Sequence, residues 1–403
     1  MLAERMTRVS ASPTQQVLLE AQRLRRQGID VVDFGAGEPD FATPAHVKAA
    51  AVEAIEADFT KYTPNAGIAD LKDAIGTSYR AMYGVEYGPS ETIVTAGGKQ
   101  ALYNAVLALF GSGDQVITHA PGWPTIVEQI KLADAEPVIV RTAPEEGFRV
   151  RADAVLSAIT PRTRGIILNS PGNPTGALVT EEDLTAIADE AASRGLWILV
   201  DLCYEQLIYD RVPHNLPKIL VDRMRDRTVL MGTVSKTYAM TGWRCGWVLG
   251  PAPVVAACNA IQSHSTSNVC SITQKAAVAA LTGPQDCVTA MLDAYRQRRD
   301  TLAEWLSAET RIRLVKPAGT FYLFPDISEL LSPDGLRTSA DFARALLTEA
   351  HVGVTAGEAF DAPGFIRISY ATSMDRLREG ANRILKFAAT LDRGALPAAK
   401  ASG

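Results

Sequence analysis

The sequence predicts an α/β fold: a mostly parallel sheet covered on both faces, followed by a smaller layer of alternating strands and helices. Three observations carry that expectation. Short apolar runs such as Gly165-Ile166-Ile167-Leu168 and Trp197-Ile198-Leu199-Val200 lack the polar alternation of a half-exposed strand. Segments of helical period, Glu181 to Arg194 for example, stand between several of them. After about Gln285 the series of apolar runs gives way to a long charged helix and shorter strands.

In chain order, Pro13 to Gln27 has apolar residues at helical spacing and ends at Gly28. The run Ile29 to Phe34 reads as a strand and breaks into Gly35-Ala36-Gly37-Glu38-Pro39-Asp40. No third spaced glycine follows, so a dinucleotide fingerprint is not supported. Helices are expected over Pro44 to Ala57 and Asp70 to Met82, with a loop at Lys61-Tyr62-Thr63-Pro64. Strands are expected at Thr92–Thr95, Gln115–Thr118, Pro137–Val140, Gly165–Leu168, Trp197–Val200, Thr228–Met231 and Gly246–Leu249. Helices at Ala101–Phe110 and Ile126–Leu132 interrupt this series. Beyond the charged helix Val288–Ser307 come Arg311 to Val315, the run Thr320–Phe324, a helix Ser339–Glu349, the strand Phe365–Ser369 and a helix Met374–Leu391.

With 403 residues, 47% of them hydrophobic, the chain is long enough for two cores. The net charge of -5, with no dense Lys/Arg run, argues against a nucleic-acid partner. The opening Met1–Arg5 lacks the apolar core of a signal peptide, and no apolar stretch would span a bilayer. Five scattered cysteines and five histidines show neither disulfide nor zinc spacing. The expectation is a cytoplasmic protein with no metal and no membrane partner.

In a parallel sheet ligands sit beyond the carboxyl ends of the strands. Four features fall at such ends: Gly97-Gly98-Lys99, the turn Asn169 to Gly176, Asp201 and Lys236. Alone, each has an ordinary explanation as a turn, a strand cap or a surface charge. Together they suit a phosphate-bearing aldehyde such as pyridoxal phosphate. Lys236 can form a Schiff base with the aldehyde. The carboxylate of Asp201 can keep the pyridine nitrogen protonated. Gly97-Gly98-Lys99 opens a helix, whose N-terminus suits a phosphate, and Arg244 adds a cation. Trp123 offers a face for the ring, and Asn173 and Tyr204 offer donors for its phenolic oxygen. Arg367, mid-strand between Ile366 and Ile368, needs a partner and suits a substrate carboxylate.

These motifs resemble the class I/II aminotransferases of fold type I, in the bacterial subgroup that includes aspartate and prephenate aminotransferases. The resemblance rests on Gly37-Glu38-Pro39-Asp40-Phe41, Lys61-Tyr62-Thr63-Pro64, Gly97 to Leu102, Pro121-Gly122-Trp123, Asn169 to Gly176, Ser235 to Arg244 and Phe365 to Ala371, in family order over nearly the whole chain. It implies a seven-stranded sheet in a large pyridoxal phosphate-binding domain, 44–287. An N-terminal arm and part of the small domain would occupy 1–43, the connector helix and small domain 288–393, and a disordered tail 394–403.

The resemblance also implies roles. Lys236 would carry the cofactor and shuttle a proton, with Asp201 on the pyridine nitrogen and Tyr204 and Asn173 on the phenolic oxygen. Gly98, Lys99, Thr233, Ser235 and Arg244 would surround the phosphate. Tyr62 would reach the phosphate of a neighbouring subunit, which makes a homodimer with shared active sites part of the mechanism. Arg367, Asn173 and the backbone of Gly37 would bind the substrate α-carboxylate, and Trp123 would stack on the ring. Lys99 would meet the distal carboxylate of a dicarboxylic substrate, and Thr14 matches a position linked with dicarboxylate or prephenate recognition. Ala120-Pro121 and Asn173-Pro174 would be cis. The implied reaction passes the amino group of an L-amino acid, aspartate or glutamate first, to a 2-oxo acid such as 2-oxoglutarate. Prephenate or aromatic transamination and C–S lysis are the alternatives. A DNA-binding regulator on this body is not expected, since neither terminus is long enough for the added domain. One departure stands out: Leu202 follows Asp201 where the family usually has an acidic residue.

Overall fold

A computed structural model describes residues 4–10, 13–210 and 212–391, of which 4, 5 and 13–19 by backbone only. The tail expected at 394–403 lies outside the described residues. The chain divides into two compact units. One holds 4–10, 38–293 and 318–320, the other 13–37, 294–317 and 321–391.

The first unit is built on a seven-stranded sheet. In spatial order its strands are Thr92–Thr95, Gly246–Leu249, Thr228–Thr233, Trp197–Asp201, Thr163–Asn169, Gln115–Ala120 and Glu136–Arg141. Six strands run one way; Gly246–Leu249 is antiparallel to both of its neighbours. The sheet is apolar on both faces because alternate residues of each strand enter different cores. Ile166, Leu168, Ile198, Val200 and Leu230 pack into one cluster with helices Ala45–Glu56, Ala69–Tyr83, Glu181–Arg194 and Ser271–Thr282. Ile167, Leu199, Val229, Met231 and Val248 pack into the other with Gly98–Leu109, Pro124–Leu132 and Ala252–Ser263. At roughly 1.5–3 kcal/mol for each large aliphatic side chain buried, these two layers dominate the stability of the unit.

Local signals fix the covering helices. Thr180 caps Glu181–Arg194 by accepting the Asp183 N–H at 3.1 Å, three acidic residues occupy the first turn, and Gly195 stops the helix at φ 67°. The helix expected from Ala101 begins three residues earlier, at Gly98. Gly97, at φ 87°, makes the turn that leads into it. Glycines have poor helix propensity, which hid this start from the periodicity.

In the second unit Val32–Asp33 pairs parallel with Val352–Gly353, while Thr355–Ala356, Ile366–Ser369 and Tyr322–Leu323 form an antiparallel sheet in that order. The strand expected over Ile29 to Phe34 shrinks to two residues because its partner, Val352–Gly353, is equally short. Thr338 and Asp341 form a reciprocal capping box on helix Ser339–Glu349. Phe324 stacks on Phe365 and meets Phe360 edge-on. Among the described residues no helix is long and apolar enough to cross a membrane.

Candidate active site

The strand register assembles the site. Asn169 and Asp201 are direct neighbours at the carboxyl ends of adjacent parallel strands. Two strands further along, Gly246 pairs with both Thr95 and Thr233. Because Gly246–Leu249 runs backwards, the segment entering it, Arg244-Cys245, lies at the same edge as the carboxyl ends of its neighbours. Arg244 itself adopts a left-handed conformation, φ 56°, ψ 59°.

Asp201 is buried, and its Oδ1 accepts the Cys203 N–H at 3.0 Å. Burial pushes its carboxyl up to about 6; the Cys203 N–H and the nearby Lys236 pull the other way. The side chain of Asn169 bridges its neighbours. Its Oδ1 accepts the Asn173 N–H at 2.9 Å, and its Nδ2 donates to the Asp201 carbonyl at 3.2 Å. Asn173 and Tyr204 are both buried. The Thr233 and Ser235 hydroxyls lie 2.8 Å apart, and a Cβ on Gly98 would touch Thr233 at 3.6 Å.

Arg244 donates from Nη1 to Thr241 O at 2.9 Å and from Nη2 to Ala96 O at 3.2 Å. A Cβ on Gly97 would lie 2.5 Å from Nη2, so the guanidinium occupies the space that any other residue would fill. Lys99 places its Nζ 5.1 Å from the centre of the Trp123 ring. Partial desolvation, then repulsion from Arg244 and Lys236, holds Lys99 below the usual lysine range. Ten of the expected site residues thus belong to one edge of one sheet: Gly98, Lys99, Trp123, Asn173, Asp201, Tyr204, Thr233, Ser235, Lys236 and Arg244.

The remaining expected residues belong to other elements. Tyr62 is 93% exposed. The side chain of Thr14 lies outside the described residues. Arg367 belongs to the second unit, on strand Ile366–Ser369, and is buried. Its Nη2 donates to Gly35 O at 2.9 Å, and its guanidinium carbon stacks 4.3 Å from the Tyr322 ring centre and 5.1 Å from that of Phe360. A Cβ on Gly37 would meet the Tyr322 hydroxyl at 3.1 Å and Arg367 Nη2 at 3.8 Å, so Gly37 keeps its backbone open beside the arginine.

The peptides Ala120-Pro121 and Asn173-Pro174 are cis as expected; Ser170-Pro171 is a third, which the sequence did not signal. Leu202 is buried in an apolar core. A carboxyl does occur near Asp201, on Glu205, which accepts from Tyr83 Oη at 2.8 Å and is pushed up to about 7 by burial. Only its place next to Tyr204 marked it in the sequence. Among the described residues no group of three His, Cys, Asp or Glu side chains is arranged to hold a metal ion.

A strand-end edge carrying one buried carboxyl, one central lysine and an arginine at a helix N-terminus defines a phosphate-cofactor enzyme of fold type I. Residues 29–384 match the family model for aminotransferase class I and II, and the chain belongs to that family. It is 40% identical over 387 residues to an aspartate aminotransferase of Bacillus sp. (strain YM-2), covering 96% of this chain and 99% of the relative. It is 42% identical over 396 residues to an aspartate/prephenate aminotransferase of Cereibacter sphaeroides, covering 97% and 99%. The structure of an aspartate aminotransferase from Rhizobium meliloti superimposes with a TM-score of 0.91 at 38% identity, covering 98% of this chain and 99% of that one. One from Thermus thermophilus with maleate gives 0.90 at 40% identity, covering 96% and 99%.

The protein is therefore a transaminase that uses pyridoxal 5′-phosphate. Its own residues fit that cofactor. The raised Asp201 carboxyl gains when a cationic ring nitrogen is set against it. Crowded Lys99, Lys236 and Arg244, beside the head of helix Gly98–Leu109, call for an anion.

Proposed function

We propose that this protein is an aspartate aminotransferase that takes the amino group of L-aspartate or L-glutamate and delivers it to a 2-oxo acid such as 2-oxoglutarate, as a cytoplasmic homodimer. The observation that carries the substrate class is Lys99. Its ammonium is poised over Trp123 on the edge that holds Asp201, where it suits the distal carboxylate of a dicarboxylic acid. The Thermus thermophilus relative was solved with maleate, a four-carbon dicarboxylate, which supports that reading. An exposed Tyr62 supports the homodimer, in which this phenol would reach the phosphate site of the second subunit.

Bound pyridoxal phosphate supplies an electron sink for the carbon bearing the amino group. Asp201 holds a proton on the ring nitrogen and so keeps that sink effective. Asn173 and Tyr204 would donate to the phenolic oxygen, and Trp123 would offer an apolar cover that excludes water. Arg244, Gly98, Thr233 and Ser235 hold the phosphate. Lys236 would hold the cofactor through its Nζ, and the same Nζ would serve as the base that moves the substrate's Cα proton. Arg367, a planar fork, takes the α-carboxylate with the Gly37 backbone beside it.

Prephenate is the second acceptor to consider, because a relative at 42% identity is named an aspartate/prephenate aminotransferase. The deciding experiment offers a panel of 2-oxo acids to enzyme aminated by aspartate and follows single turnovers. Oxaloacetate and 2-oxoglutarate are expected to react fastest. A prephenate rate well above both would favour the second reading, and a preference for pyruvate would contradict the role of Lys99.

A further inference from the structure

Gln100 stands one residue beyond Lys99 on the first turn of helix Gly98–Leu109, with its side chain buried. Both ends of its amide are used. Oε1 accepts the Ala96 N–H at 2.6 Å, and Nε2 donates to Thr266 Oγ1 at 2.6 Å. Ala96 links the strand end Thr95 to the Gly97 turn, and its carbonyl accepts Arg244 Nη2 at 3.2 Å. One residue is thus gripped from two sides, by Gln100 at its N–H and by Arg244 at its C=O. The turn is closed further by Gly97 N–H on Thr95 O at 2.7 Å and Thr95 Oγ1 on Gly97 O at 3.1 Å.

On its other side Gln100 reaches the segment that joins helices Ala252–Ser263 and Ser271–Thr282. There Thr266 lines a cleft of about 610 Å³ that it shares with Ala96 and Arg244. It also lines one of about 440 Å³ shared with Lys61 and Tyr62. The amide accepts from Ala96 and donates to Thr266 at once, whereas a carboxylate can only accept and an aliphatic chain can do neither.

We propose that Gln100 is a positioning residue for the phosphate cradle: through Ala96 it sets the Gly97–Gly98 turn and the seat of Arg244, and through Thr266 it ties that turn to the segment sharing a cleft with Tyr62. The inference rests on the reading that this turn and Arg244 hold the cofactor phosphate.

The test is a spectroscopic titration of apoprotein with pyridoxal phosphate and, in parallel, with pyridoxal, which has the aldehyde and ring but no phosphate. Gln100→Leu should weaken pyridoxal phosphate binding about tenfold and leave pyridoxal binding unchanged. Gln100→Glu should weaken it further, because that variant keeps an acceptor for Ala96 but adds a negative charge beside the phosphate. Thr266→Val should lose about two- to threefold, less in the Gln100→Leu background, and Thr266→Ser should lose nothing. Since Thr266 is exposed, its variants keep the test decisive if Gln100→Leu fails to fold. Equal losses for both ligands would reduce Gln100 to a general structural role and overturn the proposal. So would unchanged affinities in the Gln100 and Thr266 variants while Arg244→Ala loses pyridoxal phosphate selectively. If Arg244→Ala itself loses nothing, the reading of the cradle falls, and the proposal with it.

Discussion

The two units each bury one of the charges proposed for the site, and they treat it in opposite ways. Asp201 ends a central strand of a mostly parallel sheet, where burial destabilises its carboxylate and pushes the group up to about 6. Arg367 lies on a strand of a small antiparallel sheet, its guanidinium against the rings of Tyr322 and Phe360 and donating to Gly35 O. The first charge keeps one backbone donor, the Cys203 N–H, and would gain from a cation brought by a ligand. The second is aimed: stacking and one backbone contact fix the plane of a fork suited to a carboxylate. On the proposed roles, tuning and aiming are separate tasks carried by separate architectures.

Substitution at the tuned charge should have the largest effect. Asp201→Asn is expected to lower transamination about a thousandfold, since a neutral amide cannot hold the ring nitrogen protonated. The same variant separates stability from activity. The folded-state value of Asp201, about 6, lies above its ordinary 3.8, so the folded apoprotein binds that proton more tightly than the unfolded chain does. The associated stability is fully present below the ordinary value and is lost as pH rises through about 6. Denaturant melts of the apoprotein should therefore show a decline over this window, worth about 2–3 kcal/mol, that Asp201→Asn removes. Glu205, raised from 4.5 to about 7, should leave a residual decline in the variant. A variant no better than wild type at neutral pH would show that burial does not tension Asp201.

At the aimed charge, Arg367→Lys keeps a cation but loses the fork and the stacked plane. The expected loss is about a hundredfold in kcat/KM for aspartate, with cofactor affinity unchanged. If the lysine variant lost cofactor as well, the division of labour between the units would fail. The smallest effect is expected at Lys99. Lys99→Ala should lose about tenfold in kcat/KM for aspartate and little for alanine, and an unchanged ratio between the two would remove Lys99 from substrate selection.

How much of this was legible in the sequence depended on how local the cause was. The strands Thr163–Asn169 and Trp197–Asp201 could be read because both faces are covered, leaving Ile166 to Leu168 and Ile198 to Val200 as unbroken apolar runs. With those strands and Thr228–Thr233 in place, Asp201, Asn173 and Lys236 fell just beyond their ends. Arg244 carried no such signal, since its position follows from the reversal of Gly246–Leu249 between two distant strands. Gln100 and Asn169 were visible only as parts of motifs, because their partners lie 166 and 32 residues away. In the second unit the six-residue run Ile29 to Phe34 overstated its strand, which a two-residue partner limits. Leu202 looked like a missing acid; the fold places it in the core, with the nearby carboxyl on Glu205.

The most direct test of the account reduces the cofactor-loaded protein with borohydride and maps the modified peptide by mass spectrometry. The expected result is one pyridoxyl group on Lys236, within the peptide containing Ser235 and Thr237, and none in a Lys236→Ala variant. A pyridoxyl group on Lys99 or another lysine, with Lys236 untouched, would contradict the central assignment.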